Sequence, residues 1–310
     1  AQVIDRVRKF VLERFAQPPM NGSLRHADRY GYTWEEYERL KLRGGPQFLA
    51  MKAAVKLAGR FSKGIELGWK DGFDSGRSLD YVYENRAQGA SRLGRLIDAN
   101  YLNSIGWRGV RQRKANLEKA LREAIEKLQA EGRPIHIFDI AAGLGRYVLE
   151  TMRALPGTSI SATLFDNQEK NLEAARIIAA EYGLENVVVR QGDAFDRAAL
   201  AALTPRATIG IVSGLYELFP SNDAVLDSLG GLADAIEPGG YLIYTNQPWH
   251  PQLEFIARVL RNRESKPWIM RRRTTAEIDE LVRLAGFEKC AMEIDRWGMF
   301  TVSTARRLRS

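Results

Sequence analysis

From Pro134 onward the chain alternates short apolar runs with segments of helical spacing, and that alternation sharply limits the folds open to it. "IHIFDI" precedes "RYVLETMRAL", and "SISATLFD" precedes "QEKNLEAARIIAAEYG". "NVVVRQGDAF" leads into "RAALAAL", and "ATIGIVSGLYELF" into "NDAVLDSLGGLADAI"; "EPGG" then stops that helix before a fifth run, "YLIYTNQ". Strands separated by helices pair in parallel, and the helices cover both sheet faces. The expected class is therefore α/β, a doubly wound, mostly parallel sheet. After the fifth run the style changes. "TTAEIDELVRLAGF" reads as a helix with Thr274 and Glu277 at capping-box spacing. "EKCAMEID", "RWG" and "MFTVSTARR" read as two strands joined by a tight turn, which completes seven strands with a C-terminal antiparallel pair.

Residues 1–133 read as mainly helical, broken at "QPPMNGS", "RGGP" and "GWKDGFDSG". The expected division is 1–133, a helical region acting as lid or binding surface, and 134–310, the α/β domain. No apolar run approaches the roughly 18 residues of a spanning helix. The first residues, "AQVIDRVRKF", carry mixed charge and lack the apolar core of a secretory signal. The single cysteine, Cys290, excludes an internal disulfide framework and fits a reducing, cytoplasmic compartment; it is expected to be buried near a strand. His26, His136 and His250 have no metal-ligand spacing, so no metal is expected.

Charge is unevenly spread. Residues 1–133 hold 26 Lys+Arg against 16 Asp+Glu, whereas residues 134–260 hold 8 against 15. A basic end beside an acidic middle suggests that the basic part meets something anionic. In "PQFLAMKAAVKLAGRFSKG", Lys52, Lys56, Arg60 and Lys63 share a helical face, with Met51, Ala54, Val55, Leu57, Ala58 and Phe61 mostly opposite. Such a helix can lie on an anionic membrane, bind nucleic acid, or pack its apolar face on the core. "WIMRRRTT" reads as a second cationic spot, fit for a phosphate-bearing molecule.

The stretch "FDIAAGLGRY" follows the first strand. In a doubly wound sheet, ligands bind at the carboxyl ends of the strands, near the point where strand order reverses. Small residues there let a ligand approach the backbone, and the next helix offers its free N–H groups. A dinucleotide is usually cradled by G-x-G-x-x-G, but here the third glycine falls on Val148. Asp139, just before the turn, is poorly placed beside a pyrophosphate and well placed for a cationic ammonium, directly or through water.

From Pro134 to about Arg307 the chain resembles the class I S-adenosylmethionine (SAM)-dependent methyltransferases. "DIAAGLG" is similar to their first motif, D/E-x-G-x-G-x-G, with Ala141 in place of the first glycine. The resemblance implies SAM as cofactor, held by Asp139, Ala141, Gly143 and Gly145. It implies that Asp166 in "LFDNQ" receives the ribose hydroxyls, with Asn167 at the adenine edge. In "GDAF" it implies that Asp193 accepts from the adenine amine, with Ala194 and Phe195 beside the ring. In "SGLYELF", beginning at Ser213, it implies the methyl-transfer site. The segment "FDSGRSLDYVYENRAQG … GRLIDANYLNSIGWRGVRQRKANL" resembles the region ahead of the core in a less-studied bacterial branch, some of whose members are fused to an α/β-hydrolase.

Methyl transfer from a sulfonium is an in-line displacement of an already activated group, so positioning and desolvation can supply most of the acceleration. A base is needed only when the acceptor must lose a proton. Glu217, Tyr216 and Tyr83 are the catalytic candidates, with Tyr81 and Asn85 beside Tyr83 in a lid. Asn246, Trp249 and His250 fall on the same rim. Arg111 and Arg113 are candidates for the methionine carboxylate. The expected function is methyl transfer to a small-molecule or lipid-like, anionic acceptor, with peripheral contact to the inner face of an anionic membrane. RNA methylation through the basic region is the alternative, without a recognisable RNA-binding module. A non-catalytic scaffold is the third reading, opposed by the intact turn with Asp139, Asp166 and Asp193.

Overall fold

The computed structural model describes residues 32–42 and 44–308; "AQVIDRVRKF" and "QPPMNGS" lie outside them. Helices α1 (Tyr32–Lys41), α2 (Pro46–Ala58), α3 (Lys63–Asp71), α4 (Gly76–Glu84) and α5 (Arg92–Leu102) precede the long α6 (Ile105–Ala130). Serine side chains cap three of them. The side chains of Ser62, Ser75 and Ser91 accept from the backbone N–H of Ile65, Ser78 and Gly94, satisfying donors that a helix start leaves free. An apolar stripe on α6, including Leu117, Leu121, Ile125 and Leu128, is buried and lays the helix on the sheet.

The alternating half follows as β1 (Ile135–Ile140), α7 (Arg146–Arg153), β2 (Ile160–Asp166), α8 (Glu169–Glu181), β3 (Val187–Gln191), α9 (Arg197–Ala201) and β4 (Ala207–Val212). Then come α10 (Asn222–Ala235), β5 (Ile236–Asn246), α11 (Leu253–Val259), α12 (Thr275–Leu284), β6 (Phe287–Ile294) and β7 (Thr301–Arg307). The seven strands run β3-β2-β1-β4-β5-β7-β6. The first five are parallel, and β7 runs antiparallel to both of its neighbours. β1 and β4 bury every residue, as strands covered on both faces do. Strand order reverses between them, so the crevice at their carboxyl ends is where this architecture takes ligands.

This is the fold the alternation implies, and Thr274 caps α12 through the Glu277 N–H. Three details differ. "EPGG" does not separate helix from strand. β5 starts at Ile236, which pairs with Ala207, and an irregularity between Ala207 and Ile209 absorbs the extra residues. The β6–β7 connection is a loop rather than a tight three-residue turn, because the buried Asp295 carboxylate accepts from the N–H groups of Trp297 and Phe300 and holds it closed. Cys290 is exposed on the edge strand β6 rather than buried.

α2 corrects a further expectation. It buries no residue, and its apolar side chains Leu49 and Leu57 are 64% and 55% exposed. Phe48, Lys52 and Val55 turn inward instead. Phe48 lies under the Arg258 guanidinium of α11, and Lys56 caps the Trp69 ring. The helix thus packs only part of its expected apolar face, Val55 and Ala58, on the core and leaves Met51, Leu57 and Phe61 exposed, while Lys52 turns inward and Lys56, Arg60 and Lys63 stay exposed. Burial and the nearby Arg261 also hold Lys52 below the usual lysine range.

The N-terminal helices share a core with the α/β half. Phe73, Val82, Trp107 and Val110 pack with Ile256, Trp268, Met270 and Phe300. Among the described residues, no helix is long and apolar enough to cross a membrane.

Candidate functional site

The turn after β1 is built for close approach. Gly143 and Gly145 have φ of 58° and 63°, where a side chain strains the backbone. A β-carbon on Gly145 would also stand 2.5 Å from Leu164 Cδ1. Ala141 occupies the same left-handed region at φ 50°, so the sequence's departure from glycine is accommodated at a cost of about 1 kcal/mol.

Asp166 at the end of β2 fixes this turn. Its Oδ2 accepts from the Gly143 N–H at 2.9 Å, and its Oδ1 from the Gln168 N–H at 2.8 Å and Asn171 Nδ2 at 3.0 Å. Oδ1 is saturated and Oδ2 keeps one lone pair. One Asp166 oxygen therefore stays open to the ribose hydroxyls expected there.

Ala141, Gly143, Gly145, Asp166 and Asn167 line one cleft with Asp193, Ala194, Phe195, Ser213 and Tyr83. Asp193 and Asn167 are exposed at its edge. Phe195 packs against Phe219 with ring centroids 4.3 Å apart and offers an apolar wall.

Asp139 does not reach the cleft. It is fully buried beneath it, and Tyr147, which does line the cleft, donates its hydroxyl to Asp139 Oδ1 at 2.8 Å. Burial pushes the Asp139 carboxyl well above the usual range, partly offset by that hydrogen bond. Tyr147, which sequence reasoning missed, thus links Asp139 to the cleft; its place eight residues after Asp139 was the available signal.

Behind the cleft is a second space, a cavity of about 380 Å³ walled mainly by apolar and aromatic side chains, among them Phe73, Trp107, Trp268, Met270 and Phe300. Cleft and cavity share Asp74, Leu79, Arg113, Gly214 and Leu218 as common walls. Glu217 and His250 also line the cavity. Arg113 Nη1 lies 3.4 Å from Glu217 Oε1, and its guanidinium sits 4.9 Å from the Phe300 ring centroid. Glu217 Oε2 is buried without a partner. Burial raises the Asp74 carboxyl, and it lowers the His250 imidazole to about 4.

A family model described as "Putative methyltransferase" matches residues 7–307. The chain belongs to this family. A 48% identical relative, the "Uncharacterized protein YnbC" of Escherichia coli (strain K12), aligns over 99% of this chain and 54% of its own length, so the chain spans about half the length of that relative. Two solved structures share this fold. A "possible exported protein" of Bordetella parapertussis is 18% identical, with a TM-score of 0.66 over 95% of this chain and 100% of that one. Magnesium protoporphyrin IX methyltransferase of Synechocystis PCC 6803, solved with bound SAH, is 15% identical, with a TM-score of 0.51 over 76% of this chain and 97% of that one.

In this methyltransferase-family chain, the loop after β4 separates two neighbouring candidates. Tyr216 turns into the core and donates to Ser228 Oγ at 3.1 Å, so it does not border the cavity, contrary to expectation. Glu217, the next residue of the same 3₁₀ turn, faces the cavity. The arginine triplet holds this loop. Arg273 donates to the carbonyls of Tyr216 and Phe219 at 2.6 and 2.9 Å, and Arg271 to the carbonyl of Pro220 at 3.0 Å and to Glu277 at 2.6 Å. Arg272 pairs with Glu36 and the Pro248 carbonyl. "WIMRRRTT" is therefore an internal clamp and not a cationic surface, because each guanidinium is buried against carbonyls and carboxylates.

Other expected residues serve structure. Arg111 donates to the Leu102 carbonyl and lines neither space. Asn246 donates to the Arg273 carbonyl, Tyr81 donates to Asp98, and Asn85 closes α4 in a left-handed conformation. Trp249 packs at the edge of the core shared with the N-terminal helices.

Proposed function

We propose that the protein transfers a methyl group from SAM to a small, largely apolar molecule held in the cavity. The observation that carries this reading is the juxtaposition of two spaces. A polar, glycine-floored cleft at the strand-order reversal meets an apolar cavity across Arg113 and Gly214. Few other activities need a polar cofactor and an apolar molecule side by side, with the Glu217 carboxylate set among apolar walls and Asp74 shared with the cleft.

The cleft residues suit SAM. Side-chain-free backbone at Gly143 and Gly145 admits a bulky ligand, and the open lone pair of Asp166 Oδ2 can accept from a ribose hydroxyl. The exposed Asp193 carboxylate can accept from the adenine amine beside Phe195. Bound there, the cofactor supplies an electrophilic methyl on a sulfonium. This chain's part is to orient it, exclude water and, at Glu217, hold a proton. The SAH-bound structure of a protein with this fold supports the same assignment. The anionic character expected of the acceptor is not retained, because Arg113 is already paired with Glu217 and the arginine triplet is internal.

Titration calorimetry with SAH tests the cofactor half of this reading. Binding is expected, and Asp166→Ala should weaken it by about 1.5–3 kcal/mol, roughly 10- to 150-fold, through loss of a charge-assisted hydrogen bond and of the Gly143 anchor. Tight NADH binding with no SAH binding would overturn it.

A further inference from the structure

The cavity carries more information than its apolar walls, because its polar groups differ in kind. Glu217 Oε2 is an acceptor, 7% exposed as a residue and without a partner. Trp268 Nε1 is a donor, equally buried and equally unpartnered. His250 is a donor too. Its Nδ1 accepts from the Gln252 N–H at 3.1 Å, so the proton of the neutral ring sits on Nε2. Buried polar atoms without partners are costly, and Glu217 Oε2 and Trp268 Nε1 at one cavity mark places where a ligand's complementary groups belong.

The charges narrow the class further. Arg113 and Glu217 face each other across the end of the cavity nearest the cleft. A cationic amine placed there would meet Arg113, and a carboxylate would meet Glu217. A neutral hydroxyl meets neither penalty. When its proton passes to Glu217, the negative charge that leaves Glu217 appears on the hydroxyl oxygen, still beside Arg113. The net charge of the buried group is unchanged, so no new charge has to be desolvated.

We infer that the cavity takes an uncharged, aromatic-sized molecule carrying a weakly acidic hydroxyl, a phenol or enol, which Glu217 deprotonates for methylation on oxygen, with Trp268 and His250 as donors to a carbonyl or ether elsewhere on the molecule. This rests on the methyl-transfer reading above. The step balances. The O–H bond breaks, and its proton goes to Glu217 Oε2. The oxygen electron pair forms a bond to the methyl carbon as the C–S bond breaks, and that bond's pair stays on sulfur, neutralising the sulfonium. The products are a methyl ether and a thioether, and the proton on Glu217 returns to water. Phe73, Trp107 and Phe300 supply ring contacts, and the Trp107–Trp268 pair, with centroids 6.2 Å apart, gives the site its own fluorescent reporter.

The test uses binding, so that it does not depend on turnover. Quenching of tryptophan fluorescence is titrated at pH 7 with 2-naphthol, 2-methoxynaphthalene, 2-naphthoate and 6-hydroxy-2-acetonaphthone, alongside SAH calorimetry. In the unaltered protein, 2-naphthol should bind at least ten-fold tighter than its methyl ether or the carboxylate, and the acetyl group should tighten binding further. Glu217→Leu should bring the hydroxyl and ether to within two-fold of each other. Trp268→Phe, which keeps an aromatic ring and loses only the N–H, should remove most of the gain from the acetyl group, and a retained thermal transition shows that each variant is folded. Equal binding of hydroxyl and ether, tightest binding of naphthoate, or no probe binding by protein that binds SAH would overturn the acceptor class and leave the methyltransferase reading standing. Probe binding with no SAH binding would instead overturn that reading.

Discussion

At the scale of single residues, the turn after β1 shows what a sequence states openly. Glycines, an acid before them and an acid at the end of the next strand are all local signals, and they lie where the pattern puts them. What stayed hidden was direction. Asp139 was legible as a strand-end acid, but only the packed structure shows Tyr147 standing between it and the cleft. Tyr216 and Glu217 are adjacent in a 3₁₀ turn, and which one faces the cavity depends on the arginine clamp arriving from more than 50 positions later. Two predictions belong here. Gly145→Ala should destabilise the protein by about 2–4 kcal/mol in denaturant unfolding, summing left-handed strain and overpacking against Leu164. The second concerns His250. Its folded pKa of about 4 lies below the ordinary 6.5, so the unfolded chain binds the proton first on acidification. The stability that the neutral ring contributes is complete above about pH 6.5 and is lost as pH falls toward 4. Unfolding free energy should therefore drop by about 2 kcal/mol more between pH 7 and 4.5 in the unaltered protein than in His250→Gln.

At the scale of elements, periodicity identified helices and strands well and their facing poorly. α2 is the clearest case. Its apolar and basic positions were correctly listed, but helical spacing cannot say which stripe faces inward when neither is continuous. The Phe48–Arg258 contact decided it, from a partner over 200 positions away. The triplet at 271–273 failed for a related reason. Three consecutive arginines read as surface charge unless the carbonyls that bind them are known. Their role as a clamp has a measurable size. Arg273→Met leaves the Tyr216 and Phe219 carbonyls without this donor inside the protein, and should cost about 3–5 kcal/mol in urea unfolding. Arg273→Lys should recover little of it, since an ammonium cannot reproduce the planar fork.

At the scale of the whole molecule, the mostly parallel sheet was implied by alternation, whereas its strand order and the cavity were not. Its walls come from helices α2 to α6, α11, the loops around β4 and β5 and Phe300 before β7, segments separated by more than two hundred residues, and no local pattern brings them together. The N-terminal helices are thus part of the site, and α4 is its roof. A β-carbon on Gly143 would stand 3.6 Å from Gly76 Cα, so the start of α4 lies directly above the glycine turn. Arg146, the first residue of α7, ties down the same helix through Asp80 at 2.8 Å and Glu84 at 3.2 Å. A roof fastened by partly exposed ion pairs governs traffic as well as affinity. If a cofactor seated under it leaves by lifting the roof, those pairs must part, and dissolved ions compete for them. SAH departure, followed by stopped-flow displacement, should therefore quicken several-fold from low to high salt, with Asp80→Asn already fast at low salt. A methyl-transfer cycle on this scaffold would then turn over at the pace of its latch.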